Sequence, residues 1–244
     1  MRSDKGCVVR IAIMQPYIFP YMGYFQLISA VDCFVIYDNI QYTKRGWINR
    51  NRILQNGKPE YITLPLEKAS DYLNVDQRNI SADFNKEKLI RKIEASYKKA
   101  PYFDEVMPKI SDIIKYSENN LFDFLQNSIM ELVSIMGITT PIIKSSILDI
   151  DHRLKSEEKV IAICKELNAC TYINPIGGIE LYSQKSFADK DIKLNFLKSE
   201  LIEYKQFGGN FVPNLSIIDV LMFNKKSDMK NKCFNGYKIL TSEV

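Results

Sequence analysis

Residues 8–37 read VVRIAIMQPYIFPYMGYFQLISAVDCFVIY, and the fold turns on them. Residues 8–14 and 33–37 are short, nearly continuous apolar runs rich in β-branched and aromatic side chains. Strands covered on both faces of a parallel sheet have this pattern. Between them Tyr24, Leu27, Ile28 and Val31 lie three and four positions apart, as on one face of a helix. The stretch predicts a strand, a turn, a helix from Gly23 to Val31 and a second strand.

The rest of the chain continues this alternation. Strands are expected at 60–64 (EYITL), 142–147 (IIKSSI), 170–173 (CTYI) and 192–197 (IKLNFL). Helical spacing fills 85–98, 102–116, 120–136 and 156–168. In the last of these Ser156 is a natural N-cap, and Glu157 and Glu158 suit the positive end of the helix dipole. This order predicts an α/β fold with a parallel sheet and a helical insertion around residues 85–136. With 244 residues and no Gly/Ser/Pro-rich linker, one domain is expected, ending in a polar, poorly packed tail over 225–244.

Composition narrows the classes. Apolar residues at 46% and charged residues at 25% describe an ordinary globular mixture, which excludes a disordered or collagen-like chain. No apolar stretch approaches the ~18 residues of a membrane span, and the opening residues carry no signal-peptide pattern. A net charge of +4 points to a local basic site and argues against nucleic acid as the partner. The five cysteines have no metal-site or redox spacing, so reduced thiols in a cytoplasmic protein are expected, with Cys33 and Cys164 buried. No cluster suggests a metal. His152, the only histidine, reads as an exposed loop residue.

Ligands of parallel α/β sheets bind at the carboxyl ends of the strands, often against a helix N-terminus. MQPYIFPYMGYFQ stands at that place after the first strand. Gln15, Tyr17, Tyr21, Gly23, Tyr24 and Gln26 supply flat apolar faces, hydroxyls, amides and a close backbone approach. The alternative for each ring is a core position beneath a loop. The second strand leads into DNIQYTKRGWINRNRI, beginning at Asp38. From Asn39 to Pro59 there is no acidic residue, while Lys44, Arg45, Arg50 and Arg52 are interleaved with Gln41, Trp47 and Asn51. Guanidinium forks suit phosphate and an indole suits a base or sugar, so an anion-binding loop with an arginine clamp is expected. The loops after the first two strands should share one pocket. A third cluster, YINPIGGIELY, places Asn174, Gly177, Gly178 and Tyr182 after another strand, as a phosphate cradle or a plain tight turn. In FVPNLSIID, Asn214 or Ser216 caps a last helix, with Asp219 in its first turn.

These motifs resemble the WbqC-like proteins. MQPYIFPYMGYFQLI, YDNIQYTKRGWINRNRI, YINPIGGIELY and FVPNLSIIDVLM carry the resemblance, which covers about residues 10–225. It implies a place in bacterial O-antigen and surface-polysaccharide gene clusters, and a transferase that attaches an amino acid such as glycine to a nucleotide-linked or lipid-linked sugar. A nucleotide-binding acyl or glycosyl transferase and a non-catalytic sugar-nucleotide or RNA-binding module are the alternatives. At fold level the first motif is similar to the nucleotidylyltransferase-like Rossmann type, with Tyr21 and Tyr24 flanking Gly23 where that fold has two histidines. The analogy points to Tyr21 and Tyr24 as catalytic groups and ATP as the candidate cofactor, and Asp38, at the end of the second strand, is the third catalytic candidate. A phenol donates a hydrogen bond to phosphate but does not become a cation as imidazole does.

Overall fold

The computed structural model describes residues 9–232 and 235–241. In chain order the strands are β1 (Arg10–Met14), β2 (Cys33–Ile36), β3 (Arg50–Gln55), β4 (Lys58–Thr63), β5 (Ile142–Lys144), β6 (Thr171–Pro175), β7 (Lys193–Ser199) and β8 (Tyr237–Thr241). The helices are α1 (Met22–Ser29), α2 (Lys86–Tyr97), α3 (Phe103–Lys115), α4 (Leu121–Met136), α5 (Ser156–Glu166), α6 (Gln184–Ala188), α7 (Ile217–Phe223) and α8 (Lys226–Lys232). Six strands form the central sheet in the order β5-β2-β1-β6-β7-β8. All neighbours in it are parallel except β8, which runs antiparallel to β7. The fold is thus mixed α/β with a mostly parallel sheet. The chain builds outward from β1 in one direction through β2 and β5, then crosses back to β6 on the other side. That reversal is a topological switch point, where a crevice opens between the carboxyl ends of β1 and β6.

Alternation along the strands divides the core in two. Ala12, Phe34, Ile36, Ile173 and Leu197 pack on one side with α1, α7 and the helices α2 to α4. Ile11, Ile13, Val35, Tyr172 and Phe196 pack on the other with α5 and α6. The nearly unbroken apolar runs of β1 and β2 follow directly, because each face meets helices. The insertion helices begin on asparagine caps where the sequence permits: Asn85 Oδ1 accepts from Lys88 N at 2.8 Å, and Asn120 Oδ1 from Phe122 N at 2.9 Å.

Four expectations are corrected. EYITL does form most of β4, but β4 pairs only with β3, in a separate two-stranded sheet. Its turn is Asn56–Gly57, with φ of 51° and 74°, as a tight hairpin requires. The basic stretch is consequently part loop and part strand. The supposed polar tail contributes α8 and the edge strand β8, whose side chains are mostly exposed. Ser156 is the first residue of α5 rather than its cap; its φ is 46° and its hydroxyl caps nothing. Cys164 is fully buried, its thiol pushed up to about 12 by burial, but Cys33 is only partly buried. Cys7 and Cys233 lie outside the described residues. Among the described residues no helix is long and apolar enough to cross a membrane.

Candidate functional site

A cleft of 1280 Å³ lies at the switch point. That exceeds the roughly 300–1,000 Å³ of common small-molecule sites. It suits a ligand as large as a nucleotide-linked sugar.

The loop after β1 forms one wall, and its shape is imposed by buried contacts. Phe19 is fully buried and takes a φ of 42°, a conformation uncommon for an aromatic residue. Asn51 of β3 holds this turn, its amide donating to Ile18 O at 3.1 Å and Phe19 O at 2.8 Å. Ile18 N donates to Ile48 O at 3.0 Å, which ties the loop after β1 to the loop after β2. They open onto the same cleft: Gln15, Tyr17 and Tyr21 come from the first, Gln41 and Trp47 from the second, and Asn51 and Arg52 from the start of β3. Asn174, Gly177, Gly178 and Tyr182 arrive from the end of β6. Gly178 is needed there by packing, because a Cβ would stand 2.3 Å from Asn174 Nδ2. Asn174 is buried and accepts from the Tyr172 hydroxyl at 3.1 Å. Gly177 has open space around it.

Seven of the expected residues do not line this cleft. Tyr24 is in the core, ringed by Tyr17, Phe25 and Phe34, with its hydroxyl on Gln15 O at 3.1 Å. Asp38 is buried behind the lining, where Oδ1 accepts from the Ser145 hydroxyl at 2.6 Å and Ser146 N at 3.0 Å. Gly23 and Gln26 face a second cavity, and the Gln26 amide also donates to Gly236 O. Lys44 pairs with Asp71 at 2.8 Å, and Arg45 is exposed. Arg50 donates to Gly46 O and Arg45 O while its guanidinium lies 5.0 Å from the Tyr61 ring. Arg52 alone of the three arginines reaches the cleft. Its guanidinium sits 5.3 Å from the Trp47 ring and donates to Asn214 O at 3.2 Å. A clamp of three arginines is therefore not assembled. Alternation along β3 puts Arg50 and Arg52 on one face and so does not separate them; their hydrogen bonds do, Arg50 being drawn to Gly46 O and Arg45 O and Arg52 to Asn214 O.

The opposite wall was not read from the sequence. His152 to Ser156, with Lys159 and Val160 of α5, complete the cleft. Lys159 is 3% exposed, and its ammonium donates to Asn39 Oδ1 at 3.0 Å and lies 4.9 Å from the Tyr37 ring. Burial lowers its pKa, and Asp38 and Asp76 oppose that fall. His152 Nε2 lies 3.1 Å from Leu148 O and so carries the proton, leaving Nδ1 to accept from the Asn39 amide at 2.9 Å. Both imidazole nitrogens are thereby engaged.

The electrostatics of the lining are one-sided. It contains Arg52, Arg153, Lys155 and Lys159 and no aspartate or glutamate. Arg153 is held by Asp151 at 2.9 Å. Arg52, Lys155 and Lys159 have no carboxylate partner among the described residues. The N-terminus of α5 adds its positive dipole end to the same wall. Burial raises the pKa of Tyr17 to about 12 and also raises Tyr21 and Tyr182, so these phenols remain hydrogen-bond donors near neutral pH. Such a surface has the charge and the donors to suit an anion bearing a flat or hydroxylated group. Among the described residues no three His, Cys, Asp or Glu side chains converge as metal ligands.

An α/β protein with an anion-receptive cleft at the switch of its sheet is the class that fold and site define. The chain belongs to the WbqC-like protein family, which matches residues 15–231. It is also similar to the uncharacterized protein Rv1507c of Mycobacterium tuberculosis (strain ATCC 25618 / H37Rv), with 29% identity over 218 residues. That similarity covers 88% of this chain and 93% of the relative.

Proposed function

We propose that the protein is a cytoplasmic transferase of bacterial surface-polysaccharide biosynthesis that binds a nucleotide-linked or lipid-linked sugar and attaches an amino acid to it. The observation that carries this reading is the cleft itself, cationic and free of carboxylates at the switch point. Diphosphate oxygens would take Arg52, Lys159 and the α5 N-terminus, while Trp47 and the tyrosines would take the base and sugar. The same cationic wall fits the phosphates of ATP, and its likeness to the nucleotidylyltransferase-like Rossmann type belongs to this reading. Tyr21, whose hydroxyl is a neutral donor, would be the catalytic group of the first motif, beside Gln15 and Tyr17 in the same lining. Tyr24 and Asp38 would act as positioning residues, through the Gln15 and Asn39 segments that they support.

One observation favours a second reading, a sugar-nucleotide-binding module without chemistry: the lining offers no carboxylate base, and both nitrogens of His152 are engaged. The first experiment is a comparison of melting temperature with ATP, UDP-sugars, dTDP-sugars and the corresponding free sugars. A ligand that binds only the folded state must raise it. The reading expects a rise with a phosphate-bearing sugar and none with a free sugar. Amino-acid incorporation into the bound sugar then separates the transferase from the module. No rise with any phosphate-bearing ligand would reject both.

A further inference from the structure

Beside the cleft lies a second cavity of 360 Å³, under the irregular segment that follows β7. Tyr21 and Asn214 line both cavities, and so form the partition between them. The partition is built for close packing. A Cβ on Gly23 would stand 2.4 Å from the Tyr21 ring and 2.6 Å from the Ser199 hydroxyl, so glycine is what lets this ring lie back between the two spaces. The covering segment is anchored at its neck. Asp219 accepts from the Tyr204 hydroxyl at 2.6 Å and Gln206 Nε2 at 2.8 Å, and Gln206 pairs with Val212 on both its amide atoms.

The two cavities have opposite chemistry. Among the described residues the second is lined by no lysine, arginine or histidine. Its wall is apolar, with Met22, Leu201, Phe211, Leu215 and Val220, and its one ionisable carboxylate is Glu200. That carboxylate meets only exposed Lys238, a pairing of small energetic weight. The cations beside it are Lys238, held by Glu200, and Arg52, which donates to Asn214 O at the partition.

We infer that this cavity is the site of the amino-acid partner, and that it takes an α-amino acid with an apolar side chain rather than glycine. The inference rests on the transferase reading. The ammonium faces Glu200, the side chain meets the apolar wall, and the carboxylate turns toward Tyr21 and Arg52, at the boundary with the sugar cleft. Glycine has no side chain to reach that wall.

Titration calorimetry of the full chain with leucine, glycine and 4-methylpentanoate tests it, with a UDP-sugar titrated in parallel. Leucine should bind saturably and at least tenfold more tightly than glycine, and the amine-free analogue should bind at least tenfold more weakly than leucine. Leu201→Asp, at a position 62% exposed and so compatible with folding, should weaken leucine at least tenfold. Glu200→Gln should weaken leucine but not 4-methylpentanoate. Equal binding of glycine and leucine, no leucine binding, or leucine binding untouched by Leu201→Asp would overturn the inference. Leucine binding with these dependences but no UDP-sugar binding would instead retain the cavity and reject the sugar-transfer reading.

Discussion

Replacing Lys159 by methionine separates binding from folding. Lys159 is 3% exposed, and its ammonium has Asn39 as its hydrogen-bond partner and, among the described residues, no carboxylate within ion-pair distance. Asp38 and Asp76 attract it from further away without offsetting its burial, and a bound phosphate would supply a direct counter-charge. A hydrogen bond to a charged group contributes about 1.5–3 kcal/mol, so Lys159→Met should weaken a nucleotide-linked sugar by roughly one to two orders of magnitude. Folding should respond in the other direction. Methionine preserves length and apolar contact with Tyr37, and Asn39 Oδ1 keeps the Ser145 hydroxyl at 2.8 Å. The buried charge is removed, so the ligand-free melting temperature should equal or exceed that of wild type. The pH dependence has a definite sign. With its folded pKa lowered below 10.5, Lys159 releases its proton earlier in the folded state than in the unfolded one. Between the two pKa values the unfolded chain binds more protons, so stability gains from this group as pH rises. Urea unfolding from pH 7 to 10.5 should show wild type gaining on Lys159→Met. Weaker ligand binding together with a large loss of melting temperature would refute the reasoning, because it would make Lys159 a structural residue.

Other substitutions follow from the same geometry. Arg52→Ala should weaken the phosphate-bearing ligand by roughly tenfold to a hundredfold in calorimetry, while Arg45→Ala, outside the lining, should leave it unchanged. Gly178→Ala should destabilise by about 1–3 kcal/mol through the clash with Asn174, whereas Gly177→Ala should lie within about 0.5 kcal/mol of wild type in urea unfolding. Asp219→Ala should cost about 3–5 kcal/mol, since it leaves the buried Tyr97 hydroxyl, the Tyr204 hydroxyl and the Gln206 amide without their acceptor.

The sheet was legible where both faces of a strand are covered. The apolar runs of β1, β2, β6 and β7 are visible in the sequence because their central side chains are buried on both faces of the sheet. β8 was not, because an edge strand contributes backbone hydrogen bonds while its side chains face water. β3 was missed for another reason. The basic stretch drew attention to charge, although Asn56–Gly57 is a strong local hairpin signal. Motif position located Tyr21, Trp47 and Arg52, since loops at the carboxyl ends of parallel strands open onto the crevice. The same rule applied after β5 would have reached His152 and Lys159. In sequence, Lys159 is one lysine in a charged SEEK turn. Only the packing of α5 over Tyr37 and Asn39 takes it out of water, and that is a tertiary fact. Tyr24 and Gln26 show the converse: their polar ends satisfy buried backbone carbonyls, which a sequence does not distinguish from facing a ligand.

The central claim is that a phosphate-bearing sugar occupies the carboxylate-free cleft. Calorimetric titration of a UDP-sugar and of its free sugar, into wild type and into the Arg52→Ala/Lys159→Met double variant, tests it most directly. The account predicts saturable binding of the UDP-sugar to wild type, weakening as salt rises, with no detectable binding of the free sugar and a loss of at least a hundredfold in the double variant. Equal affinity for the free sugar, or undiminished UDP-sugar affinity in a folded double variant, would contradict it.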